Sequence, residues 1–187
     1  MSKNKLLLIT AIFLLISLNS FATLFDRPES AAFDTLHNLY LISNYGQGNV
    51  IGIDTSGVDS VFLSGFGACY GNCIKDDIFY ISNGSVIFGI DLATLDTVMQ
   101  VTTYPSGSSD GMTADTSGYL YVVDTGGRIF KISLITHEVT TFVNSGLAPY
   151  TQDIIFDAKH NRLLAAGYST NAPIQAISAT WWSLPDS

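Results

Sequence analysis

From residue 29 onward the chain alternates short apolar runs with polar turns, and the alternation recurs. Runs such as "LYLIS", "IFYIS", "LYVVD" and "RLLAA" are rich in β-branched and aromatic residues. Turn clusters bound them: "DTLHN", "KDD", "DTSG" and "DAKHN". This is the chemistry of short strands, with no helical period of useful length. Overlaying the segment from Glu29 on that from Gln152, at a constant offset of 123, puts Phe33-Asp34 on Phe156-Asp157, His37-Asn38 on His160-Asn161 and Tyr45 on Tyr168. A third copy, offset by 81 from Glu29, sets Asp34 on Asp115 and Tyr40 on Tyr121. A fourth, "NCIKDDIFYISNGSVIFGID", has a shorter turn and brings Tyr80 to the Tyr40 position. A period of about 40 residues belongs to stacked arrays and propellers.

Each copy reads as four strands. The innermost are expected near residues 30–34, 73–75, 111–115 and 153–157. A third strand follows each Gly- or Asn-rich turn ("VIGID", "VIFGID", "RIFKIS", "PIQAIS"), and a weaker fourth closes the copy ("DSVFL", "DTVMQV", "EVTTF", "TWWSL"). Four strands per copy at this period predict an all-β propeller of four-stranded blades. Four blades are present, and the expectation is that they form part of a longer, six-bladed type of ring.

The first residues change the picture of where this propeller works. Lys3 and Lys5 precede an apolar run from Leu6 to Leu18, and Ser20-Phe21-Ala22 offers small residues at the cleavage positions. Residues 1–22 therefore read as a secretory signal peptide, leaving 23–187 as the propeller domain of an exported protein, periplasmic or secreted. The apolar run is shorter than the roughly 20 residues a membrane span needs. Loss of the two lysines takes the formal net charge from −8 to −10. That charge disfavours nucleic acid and anionic lipid and suits small soluble ligands, cations or proteins. Cys69 and Cys73, in "GACYGNC", are open to two readings: a tight disulfide, allowed by export, or two part-buried thiols.

"RPESAAFDTLHNLYLISNYG", "YGNCIKDDIFYIS" and above all "SDGMTADTSGYLYVVD" resemble blades of the gluconolactonase and regucalcin-like propellers, and the repeats also resemble NHL-repeat proteins. The resemblance implies a divalent cation, calcium or magnesium, at one end of the central channel. Matched by motif, its ligands here would be Glu29, Asn72 and Asp110, whose oxygens suit a hard ion. Gln152 holds the same repeat position and would complete a polar channel ring. The alternative is that all four residues only start strands, Asp110 capping a turn through its carboxylate.

Other motifs carry less. "GSSDG" fits the nucleophile-elbow pattern around Ser109, but that motif needs a helix after it, and a strand follows here. "GQGNVIG" has the wrong glycine spacing for a dinucleotide loop. His37, His137 and His160 sit at turns, and Tyr40, Tyr80 and Tyr121 suit packing between blades. Two functions of different class follow: an exported binding or interaction module, and a divalent-metal-dependent sugar-lactone hydrolase.

Overall fold

A computed structural model describes residues 24–103, 109–144, 150–168 and 173–179. The segment read as a signal peptide and the "TWWSL" strand lie outside these residues. Fifteen strands are described, with no helix among them, in four antiparallel sheets, each a meander. The first blade is β1 (Pro28–Asp34), β2 (Leu39–Asn44), β3 (Asn49–Asp54) and β4 (Asp59–Ser64). The second is β5 (Asn72–Lys75), β6 (Ile78–Ser82), β7 (Val86–Asp91) and β8 (Thr97–Thr102). The third is β9 (Ser109–Ala114), β10 (Tyr119–Asp124), β11 (Ile129–Ser133) and β12 (Val139–Val143). The fourth shows three strands, β13 (Thr151–Asp157), β14 (Arg162–Gly167) and β15 (Gln175–Ser178). The inner strands stand side by side in the order β1, β5, β9, β13. This is the arrangement of propeller blades around a central axis.

Local chemistry shapes the first, third and fourth blades in a similar way, whereas the second turns through Asp76 and Asp77, both at left-handed φ. The aspartate ending an inner strand folds its carboxylate over the turn. Asp34 Oδ1 accepts the Leu36 and His37 amides at 2.8 and 3.2 Å, and Asp115 Oδ1 accepts those of Ser117 and Tyr119 at 2.8 and 2.9 Å. His37 Nδ1 lies 2.6 Å from Asp34 Oδ2, and His160 Nδ1 lies 2.7 Å from Asp157 Oδ2, so both histidines are turn pins. The asparagines that follow, Asn38 and Asn161, take left-handed φ of 59° and 47°, a conformation that Asn tolerates better than most residues.

Three hydrophobic cores separate the four blades. Leu41 and Val50 of the first blade pack with Phe79, Ile81 and Ile90 of the second. Tyr80, Ile87 and Met99 of the second blade meet Met112, Leu120, Val122 and Ile132 of the third. On the other side of that blade, Tyr121 and Val123 meet Ile154, Leu163, Ala165 and Ile177. Tyr80 and Tyr121 thus serve inter-blade packing, whereas Tyr40 is 49% exposed. Tyr40 stands opposite Phe33 and Ile53, and the residue matching it in the third blade is Leu120, opposite Ala114 and Ile132. The turn before β2 is one residue longer than the turn before β10, which moves the tyrosine to the other face of its sheet.

Both cysteines are free thiols. Cys69 belongs to the core between the first and second blades, and Cys73 packs against the core between the second and third. They lie on opposite faces of one sheet. Burial pushes both thiols up to about 12.

Candidate functional site at the channel mouth

The starts of the four inner strands surround a cavity of about 340 Å³, walled by Glu29, Ser30, Gly71, Asp110, Gln152 and Asp153 among others. Of the expected site residues it gathers Glu29, Asp110 and Gln152. No lysine or arginine is among its described walls.

Strand register explains the composition of the ring. Ser30 faces Ser43 and Asp153 faces Ala166, each just after an irregularity that leaves Glu29 and Gln152 outside the ladder. Asp110 falls in the matching irregularity of the third blade, between the Ser109–Asp124 and Met112–Val122 pairs. In the second blade the Tyr70 amide donates to the Ser82 carbonyl at 2.9 Å, and the Ser82 amide to the Gly71 carbonyl at 3.1 Å. Gly71 therefore corresponds to Ser30 and Asp153, and Tyr70 to Glu29, Asp110 and Gln152. Each bulge turns one side chain out of the pleat, which is how such a distortion re-aims a residue at a site.

Asn72 falls one position further on. It pairs with Ile81 as Met112 pairs with Val122 and Ile154 with Ala165. Those equivalents point at the preceding blade, and Asn72 does the same: its Nδ2 donates to Ser43 Oγ at 2.6 Å. Its backbone N–H donates to the hydroxyl of Ser30, a cavity wall residue, at 3.3 Å. Its Oδ1 is buried and has no hydrogen-bond partner among the described residues. A buried acceptor of this kind is rare, and a bound water or ion is one of the partners that satisfy such a group.

Among the described residues no hydrogen-bond donor reaches the Asp110 carboxylate, while the neighbouring Asp153 accepts the Ile154 amide at 2.8 Å. Burial, then the charges of Glu29 and Asp153, push the Asp110 carboxyl up to about 7. Tyr70 feels the same field: its hydroxyl is pushed up to about 12 by burial, by its hydrogen bond and charge interaction with Tyr45, and by the charges of Asp110 and Glu29. The Tyr45 and Tyr70 rings are 4.9 Å apart, and the Arg27 guanidinium lies 4.5 Å over the Tyr45 ring.

Sequence reasoning missed Tyr70, Gly71 and Asp153. Counting back from each inner strand's first inward-packing residue, rather than matching motif letters, finds them: two residues back lies Tyr70, and one residue back lie Gly71 and Asp153. Ser109 is the first residue of β9 and fully buried, its hydroxyl 2.6 Å from that of Thr103, and a strand follows it. It is a structural serine.

The chemistry of the walls fits a hard cation: three carboxylates, Glu29, Asp110 and Asp153, line one cavity, and Asn72, next in sequence to its Gly71 wall, carries an unpartnered amide oxygen. No group of three His, Cys, Asp or Glu side chains among the described residues forms a ready-made metal site.

Comparison with known proteins places the fold. No family model matches the chain, and no curated protein matches it. Solved β-propeller structures do. A streptogramin B lyase aligns with TM-score 0.62 and 9% identity over 84% of this chain and 56% of the lyase. A chain of a nidogen/laminin complex aligns with TM-score 0.61 and 18% identity over 83% of this chain and 65% of its own. The computationally designed Ika4 protein aligns with TM-score 0.63 and 12% identity over 85% of this chain and 96% of Ika4. The chain thus spans only about half of the lyase. What it shares with all three is the propeller fold, a scaffold that hosts unrelated functions.

Proposed function

We propose that this chain is an exported binding propeller that takes a small cation, calcium or magnesium, at the mouth of its channel. The observation that supports this reading is the gathering of Glu29, Asp110 and Asp153 in one cavity, next to Asn72, whose backbone N–H reaches the Ser30 wall and whose Oδ1 is buried and unpartnered. Glu29, Asp110 and Asn72 would hold the ion, and Gln152 and Asp153 would orient its remaining waters. The leader at residues 1–22 and the acidic balance suit such a role outside the cytoplasm. Calorimetric titration of the chain with calcium and with magnesium tests it. Saturable binding weakened at least tenfold by both Asp110→Ala and Asn72→Ala is expected. Equal binding by wild type and both variants would sink the proposal.

One observation favours a second reading, a metal-dependent sugar-lactone hydrolase. In the ion-free cavity the Asp110 carboxyl, pushed up to about 7, has the acidity of an efficient proton-transfer group at neutral pH, and a bound cation would lower it. Hydrolysis of a sugar lactone by the cation-loaded protein, abolished in Asp110→Asn, would select it over simple binding.

A further inference from the structure

Every interface between blades in this chain joins two kinds of face. One is the face a blade turns to its predecessor, built on β2-type positions that pair with an isoleucine of the next strand: Phe79 with Ile90, Leu120 with Ile132, Leu163 with Ile177. In the second, third and fourth blades all six of these residues are buried. The corresponding pair in the first blade, Tyr40 with Ile53, is open: Tyr40 is 49% exposed and its partner Phe33 40%. The other kind is the face a blade turns to its successor. It buries Leu41, Tyr80 and Tyr121 in the first three blades, yet in the fourth it leaves Ile155 60% exposed, in register with Leu164 and Ala176. Among the described residues the chain therefore carries one unfilled copy of each half of an interface that it already makes three times.

We propose that a second copy of this chain covers both faces, the fourth blade of each copy packing on the first blade of the other to close a two-fold ring of eight blades. A head-to-tail contact of this kind either closes or runs on as a filament. Propeller rings hold about four to eight blades, and with Tyr40, Phe33 and Ile155 open a single copy leaves its end faces uncovered, so two copies is the only assembly of this four-bladed unit that stays in range. The existing interfaces also set the register of the new one. At the third interface Thr113 Oγ1 accepts the Phe156 amide at 3.1 Å. Ile155 and Phe33 hold the corresponding positions on the open faces, so Ile155 of each copy should lie against Phe33 of the other.

Sedimentation velocity on the chain from residue 23 onward tests the assembly. A single species of twice the chain mass is expected, independent of concentration in the micromolar range. Tyr40→Asp and Ile155→Lys should each raise the dissociation constant at least 100-fold, with the strand signal in circular dichroism unchanged. Val58→Asp, at an exposed turn, should leave the dimer intact. The double variant Phe33→Glu with Ile155→Lys should dimerise more tightly than either single variant, because the new charges would meet across both contacts. A monomer at all concentrations would overturn the proposal and assign the faces to further blades of a longer chain. A ladder of larger species would overturn it in favour of open-ended stacking, and so would a dimer unaffected by Tyr40→Asp and Ile155→Lys.

Discussion

Gly71 lies so close to Asp110 that a β-carbon on Gly71 would fall on the Asp110 carbonyl oxygen. The same relationship holds one blade on, where a β-carbon on Gly111 would stand 2.5 Å from the Gln152 carbonyl and 2.6 Å from the Asp153 α-carbon. At these two junctions glycine lets successive inner strands converge at the channel mouth, where Asp110 shares the cavity with Glu29. In "YGN" and "DGM" the glycine is thus a point of backbone contact, and the cavity depends on it.

Gly71→Ala should destabilise the fold by about 3 kcal/mol, the upper end for overpacking, because backbone rather than a flexible side chain stands in the way. It should also weaken any ligand at the cavity. Urea denaturation reads the first effect, and an unchanged midpoint would mean that the strands can part without cost.

The Asp110 carboxyl gives stability and binding opposite dependences on pH. Its pKa is raised on folding to about 7, so between about pH 4 and pH 7 the folded chain holds a proton that the unfolded chain has lost. This contribution to stability is full below the unfolded value and disappears as pH rises through 7. Asp110→Asn should therefore flatten the decline and be the more stable protein at pH 8, by about 1–2 kcal/mol after allowing for solvent screening. Cation affinity of the wild type should instead rise through pH 7 as the carboxylate ionises. Denaturation midpoints at pH 5 and pH 8 decide the first point; parallel slopes for the two proteins would refute it.

Asp34 is 1% exposed and accepts two backbone amides as well as pairing with His37. Asp34→Ala should cost about 1–3 kcal/mol, as expected when buried donors lose a charged acceptor. His37→Ala should cost less than about 1 kcal/mol, the range of a partly exposed ion pair. Neither change should alter cation binding. Loss of binding with full stability in His37→Ala would move that histidine from the turn to the site.

Both cysteine thiols should resist a thiol-specific chromogenic reagent in the folded protein at pH 8, since burial keeps them protonated. Denaturation without reductant should release two reactive thiols. Fewer than two would reveal a disulfide.

The architecture was legible in the chain because a blade is a local object. Alternating runs such as "LYLIS" and "LYVVD", aspartate at the strand end and Asn38 or Asn161 at the turn act within a few residues, and repetition at offsets of 123 and 81 exposes them. Glu29, Asp110 and Gln152 could be placed at the channel for the same reason. What needed the tertiary structure was the state of single residues whose side is set by one bulge or one turn residue. Tyr70 rather than Asn72 occupies the ring position of the second blade because the bulge opposite Ser82 places that position two residues before the one motif matching chose. Tyr40 and Tyr121 part company because their turns differ by one residue. Cys69 and Cys73 are near in sequence yet lie in separate cores, because one sheet stands between them. A pleated strand changes face with every residue, so a one-residue shift that local chemistry barely registers reverses what a side chain meets. Only the packing of whole blades against one another chooses between the two sides.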